Sequence, residues 1–111
     1  MSGLTTHILD TARGLPASGV KITLEQSADG DWIWLANAVT DSDGRARLLQ
    51  PEDNFDPGTY RLTFEVTDYF ESLETLSFYP SVQITFVVRD ARHHHVPLLL
   101  SPFGYSTYRG S

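Results

Sequence analysis

Three consecutive histidines, His93, His94 and His95, stand near the end of a chain whose fourth histidine is His7. Imidazole titrates near neutral pH, so a pair of histidines can take a proton from water and return one to a leaving group. In an extended strand, His93 and His95 project to one face and His94 to the other. Two imidazoles on one face could equally chelate a metal, with His7 as the third ligand of a zinc site. A third reading is a solvated loop that tolerates any polar residue. The residue types alone leave all three open.

Arg45 follows the run Asp41-Ser42-Asp43-Gly44. Such a run makes a tight turn, with Gly44 free to adopt positive φ. It is not a calcium loop, because no bidentate carboxylate follows at EF-hand spacing. Arg45 is then either a surface charge at a strand start or a planar clamp for an anion. The terminal stretch Tyr105-Ser106-Thr107-Tyr108-Arg109-Gly110-Ser111 packs two tyrosines, an arginine and three hydroxyl residues into seven positions. It reads as an edge strand with a polar outer face, or as hydrogen-bond donors lining a pocket with a carboxylate nearby. No nucleophile elbow, P-loop or H-E-x-x-H motif is present.

Composition narrows the setting of this chemistry. With 111 residues the expectation is one domain spanning 1–111. The cysteine count is zero, so no disulfide, thiolate nucleophile or zinc ribbon is available. Eight basic against fourteen acidic residues give a net charge of −6, which argues against nucleic acid or a membrane surface as partner. That charge is uneven. Residues 1–90 carry six basic and all fourteen acidic residues, for −8, whereas 91–111 carry Arg92 and Arg109 and no acid, for +2. No apolar run approaches the roughly 20 residues that span a bilayer. The start Met1-Ser2-Gly3-Leu4 lacks the basic and apolar regions of a signal peptide, so a cytoplasmic location is expected.

The elements that must position these residues repeat every two. Val20, Ile22 and Leu24 alternate with Lys21, Thr23 and Glu25; Leu62, Phe64 and Val66 alternate with Arg61, Thr63 and Glu65; Val82, Ile84, Phe86 and Val88 face away from Gln83, Thr85 and Arg89. Each is a strand with one dry face. Further strands are expected at 4–10, 32–40, 46–49, 95–100 and 105–108, separated by Gly, Pro and Asp turns. Short strands at this spacing make an all-β sandwich or barrel. Asp68 to Glu74 departs from the pattern, with Asp68 as N-cap of one or two helical turns. Val96-Pro97-Leu98-Leu99-Leu100 is apolar on both faces, which calls for a second burial surface, most simply a subunit interface.

Three blocks together resemble the 5-hydroxyisourate hydrolase family, which is related to transthyretin. They are Leu4 to Asp10, Asp43-Gly44-Arg45, and the long run His95-Val96-Pro97-Leu98-Leu99-Leu100-Ser101-Pro102-Phe103-Gly104 continuing through Tyr108-Arg109-Gly110-Ser111. The resemblance covers essentially the whole chain. It implies a transthyretin-like β-sandwich of two four-stranded sheets with one short helix, and a homotetramer with active sites at the dimer–dimer interface. It implies hydrolysis of 5-hydroxyisourate to 2-oxo-4-hydroxy-4-carboxy-5-ureidoimidazoline in urate breakdown, with no cofactor and no metal. The family's functional positions match His7, Arg45, His95 and Tyr108-Arg109-Gly110-Ser111. One position departs: His94 stands where the family usually has Tyr, which leaves the chemistry intact if that side chain points away from the pocket.

On that resemblance His7 and His95 are the titratable pair, one as general base for water and the other as its orienter or proton donor. Arg45 would clamp an electron-rich substrate, and Tyr108, Arg109 and Ser111 would bind or position substrate and water. Two rival readings remain. One is a transthyretin-like carrier that binds a hydrophobic ligand without chemistry; the other is a zinc hydrolase using His7, His93 and His95.

Overall fold

Alternation along the strands becomes an inside and an outside in the folded chain. The computed structural model describes residues 3–110. Its elements run β1 (Leu4–Asp10), β2 (Leu15–Pro16), β3 (Lys21–Ala28), β4 (Asp31–Val39), β5 (Arg45–Leu49), β6 (Gly58–Glu65), α1 (Thr67–Ser72), β7 (Ser81–Val88), β8 (His94–Ser101) and β9 (Gly104–Thr107). One sheet has the order β4-β3-β6-β7 and is antiparallel throughout. In the other, β8 runs parallel to β1 along its whole length, and β9 pairs antiparallel with β8.

The opposite edge of β1 is shared. β5 pairs with residues 4–7 and the two-residue β2 with residues 9–10. β2 therefore prolongs the β5 position, and this sheet too is four strands wide, as expected.

Between the sheets lies one apolar layer. Leu4 and Ile8 of β1, Ile22 and Leu24 of β3, Leu62 and Phe64 of β6, Val82 of β7, and Leu98 and Leu100 of β8 are all buried in it. Each contributes roughly 1.5–3 kcal/mol by leaving water. The Asp29-Gly30 hairpin joining β3 to β4 takes positive φ at both residues, 52° and 84°, the primed-turn geometry that matches strand twist.

The short helix differs in detail from its expectation at 68–74. It occupies Thr67–Ser72 with Val66 at the N-cap, and Asp68 lies inside the first turn with no side-chain cap bond. The reason is a carbonyl from elsewhere. Pro80 O accepts from the backbone N–H of both Val66 and Thr67, so the end needs no acid to cap it.

Candidate active site

The outer face of the β1–β8 sheet collects the residues singled out above. On β1, Leu4, Thr6, Ile8 and Asp10 point inward and are buried, which leaves Thr5, His7 and Leu9 outward. His7 lies directly across from Arg45 on β5 and from Pro97 on β8. Thr5 lies across from Arg47 and from His95. His95 in turn bridges to Gly110, and Leu98 pairs with Thr107, a register that puts Tyr108 opposite Pro97. Two transverse rows result: Arg45, His7, Pro97 and Tyr108, then Arg47, Thr5, His95 and Gly110. Rows formed by alternate residues lie about 7 Å apart, and neighbours within a row about 4.8 Å apart.

The turn before β5 aims Arg45 into this face. The Asp41 carboxylate accepts from the N–H groups of Asp43 at 2.9 Å and Arg45 at 3.0 Å. Those bonds, that of Arg45 above all, hold the Asp41 carboxyl below its ordinary value. Gly44 takes φ +73°, and a Cβ there would come 2.5 Å from the Ile8 carbonyl oxygen. Only glycine lets the turn press against β1, where the Ile8 N–H donates to Gly44 O at 2.8 Å.

His95 is held from three sides. Its Nδ1 lies 2.8 Å from the Thr5 hydroxyl, which is also 2.9 Å from His93 Nε2. Gly110 sits on its ring so closely that a Cβ would approach Cδ2 to 2.5 Å, while the Gly110 N–H donates to His95 O at 2.8 Å. Partial burial pushes the His95 imidazole below its ordinary value of 6.5. The neighbouring His7, His93 and Arg45 push the same way, and a hydrogen bond to the Thr5 backbone opposes them. The ring is therefore mostly neutral at pH 7, the form that accepts a proton.

A cleft of about 320 Å³ opens here, lined by Thr5, Asp41, Arg45, Arg47 and His95 among others. Arg45 and His95 thus share one cleft, and His7 faces Arg45 from the adjoining strand. Tyr108 and Arg109 line a second cavity of about 270 Å³, between β7 and the β8–β9 pair, which also touches His95. His95 is the wall between the two. Ser111 lies outside the described residues. His94 points inward, buried against Phe55 with ring centroids 5.3 Å apart, and its Nδ1–H donates to Arg92 O at 2.7 Å. The position that departs from the family pattern is a core position that points away from the Arg45 cleft and also lines the second cavity. As alternation requires, His93 and His95 share the outer face. Among the described residues no three His, Cys, Asp or Glu side chains converge to hold a metal ion.

Thr5 and Arg47 were not among the candidates from sequence. Each is two residues from one that was, Thr5 before His7 and Arg47 after Arg45. The period-two rule that pairs His93 with His95 would have found both.

A sandwich that presents arginines and an imidazole around one cleft has the chemistry to hold an anionic small molecule beside a proton acceptor. The chain belongs to the HIUase/Transthyretin family, whose model matches residues 4–110. It is 49% identical to 5-hydroxyisourate hydrolase of Caulobacter vibrioides across the full length of both chains. Among solved structures it resembles Klebsiella pneumoniae 5-hydroxyisourate hydrolase, with 39% identity, a TM-score of 0.85 and 98% and 99% of the two chains covered. It also resembles sea bream transthyretin in complex with thyroxine, with 34% identity, a TM-score of 0.89 and coverage of 97% and 94%.

Proposed function

We propose that this chain is a 5-hydroxyisourate hydrolase that opens its substrate with water in the cleft between Arg45 and His95. The observation that carries the site is the register placing Arg45 against His7 while His95 enters the same cleft. The product, 2-oxo-4-hydroxy-4-carboxy-5-ureidoimidazoline, bears a new carboxyl and a new ureido group. Their appearance identifies the broken bond as one between a ring carbonyl carbon and a ring nitrogen. Water must lose a proton as it attacks, an oxyanion forms on the carbonyl, and the departing nitrogen must gain a proton.

His95, held neutral, takes the proton from water. His7, across from Arg45, orients that water or returns a proton to the departing nitrogen. Arg45 presents paired N–H donors to the electron-rich ring and to the developing oxyanion. Tyr108, Arg109 and Ser111 bind substrate from the terminal segment. Water and side chains suffice for the reaction as written, without a cofactor.

The proposal takes 1–111 as one transthyretin-like domain in the cytoplasm, assembled as a homotetramer whose active sites lie at the dimer–dimer interface. The outer face supports such an assembly. Leu9 and Leu99 are half-buried apolar side chains there, paired across β1 and β8, and the exposed Tyr108 lies on the same face.

The deciding experiment adds the protein to 5-hydroxyisourate freshly made from urate and follows the decay of its absorbance. Decay faster than the spontaneous rate, with the ureidoimidazoline as product, is expected. An unchanged decay rate together with tight binding of thyroxine would overturn this reading in favour of a carrier.

A further inference from the structure

We propose that Thr5 and His93 form a hydroxyl–imidazole relay behind His95, which selects the tautomer of His95 and carries away its second proton. This rests on the reading of His95 as the group that takes a proton from water. Both residues are positioning residues, because they act on the reacting atoms only through His95.

The Thr5 hydroxyl lies 2.8 Å from His95 Nδ1 and 2.9 Å from His93 Nε2. A hydroxyl has one proton to donate, so it cannot donate to both rings at once. If it donates to His93 Nε2, it must accept from His95 Nδ1–H. That leaves the lone pair of His95 on Nε2, the nitrogen turned away from Thr5. If it donates to His95 Nδ1, the protons reverse, and Nε2 of His95 carries hydrogen instead. The two rings are thereby coupled. The first arrangement makes His95 a base, and the second makes it a donor.

The same chain moves charge. When Nε2 of His95 takes a proton from water, the ring is briefly an imidazolium with protons on both nitrogens. Its Nδ1 proton passes to the Thr5 oxygen as the Thr5 hydroxyl proton passes to His93 Nε2. His95 is left neutral with hydrogen on Nε2, ready to donate, and His93 becomes the cation. Protons are conserved at every step, and the reverse transfer restores the starting state.

Position favours this direction. His95 faces His7 on β1, Arg45 and Arg47 on β5, and Arg109 in the terminal segment, with the Asp41 carboxylate as the nearby acid. A positive charge kept on His95 would sit among those cations, whereas His93 lies one row along, before the start of β8, with Arg47 as its cationic neighbour across Gly3. Gly3 is buried beside His93 with φ +117°, and a Cβ there would press on Arg47 Nη1 and Leu49 O, both at 3.1 Å.

The test uses the full chain with Thr5→Val, Thr5→Ser and His93→Gln, each compared with wild type and with Arg45→Ala. Nitrogen-15 NMR of the histidine rings reads the tautomer directly. In wild type, His95 is expected to carry hydrogen on Nδ1, and Thr5→Val should lose that preference while Thr5→Ser keeps it. In turnover, Thr5→Val should lower kcat by about 10- to 100-fold with KM within about twofold, and Thr5→Ser should recover most of it. His93→Gln keeps a partner for the hydroxyl but cannot take the charge. It should lower kcat by about tenfold and move the acid limb of the kcat/KM profile to higher pH, because it removes a neighbour that depresses His95.

The relay is wrong if wild type and Thr5→Val show the same His95 tautomer. It is equally wrong if Thr5→Val and His93→Gln keep wild-type kcat and acid limb while Arg45→Ala is impaired. Failure of the wild-type protein to turn over 5-hydroxyisourate would instead remove the activity on which the relay depends.

Discussion

The two sheets turn opposite kinds of surface outward. On the β3–β6 sheet Arg61 is neutralised twice. It donates to Glu25 at 2.7 Å and its guanidinium lies 4.3 Å over the Trp32 ring. On the β1–β8 sheet neither Arg45 nor Arg47 makes an ion pair among the described residues, and both line a cleft with His95. Both faces are built from the same alternating strands. The difference is that Arg61 is satisfied from within the chain, whereas Arg45 and Arg47 have no carboxylate at ion-pair distance among the described residues and share their cleft with only one acid, Asp41. Arginines without a carboxylate partner, beside an imidazole held below its ordinary value, are the reason the proposed chemistry is assigned to this face.

That contrast is broken most severely by removing the groups proposed to act on substrate. His95→Ala, His7→Ala or Arg45→Ala should each lower kcat/KM by about 10²-fold or more with the fold retained, as read by substrate decay and by a cooperative melting curve. Wild-type kinetics in any one of them takes that residue out of the mechanism.

A smaller break comes through the terminal segment. Gly110→Ala puts a methyl group against the His95 ring, so it should reduce turnover by about tenfold by displacing the imidazole. A crystal structure of this variant with His95 unmoved and full activity would show that Gly110 has no such role.

Acid sharpens the contrast further. Because His95 is held below 6.5, the acid limb of kcat/KM should have its midpoint below pH 6.5. Stability follows the same sign. The unfolded chain protonates this histidine at higher pH than the folded one, so falling pH through and below 6.5 favours unfolding. An acid limb centred above pH 6.5 contradicts the burial of this ring.

The adjacent histidine is the control. His94→Phe keeps a ring against Phe55 and loses only the bond to Arg92 O, which should cost about 1 kcal/mol in a denaturant titration and leave kcat within about twofold. Smallest of all is the opposite face. Glu25→Gln weakens the pair with Arg61 and should change stability by at most about 1 kcal/mol and activity not at all. A drop in activity there would mean that the two faces are not separate.

Much of this was legible before any coordinates. The apolar positions of the alternating strands, Ile22 and Leu24, Leu62 and Phe64, Val82, Ile84 and Val88, are the ones buried, β1 spans the expected 4–10, and Gly44 took the positive φ that its Asp-rich turn called for. Alternation also separated His94 from His93 and His95. The helix start was misread because its cap is Pro80 O, thirteen residues or more along the chain, and no local signal announces so distant a carbonyl. Thr5 went unremarked because a threonine in a strand is ordinary; only the imidazoles on either side of its hydroxyl make it a connector. Tyr108 and Arg109 look like one unit with His95 in the terminal motif, yet they line a different cavity from Arg45.

By itself the sequence determined which side chains face out together on each strand, since side chains alternate with a period of two wherever the strand lies. It also carried the family, through three blocks spread across the chain. Only the tertiary structure decided which strands are neighbours. The parallel pairing of β1 with β8 joins residues about 90 positions apart and sets His95 across from Thr5, while the antiparallel pairing of β1 with β5 sets His7 across from Arg45. Local propensity cannot contain that choice, because it is made by burying two inner faces against each other at once, and the active face is what those inner faces leave on the outside.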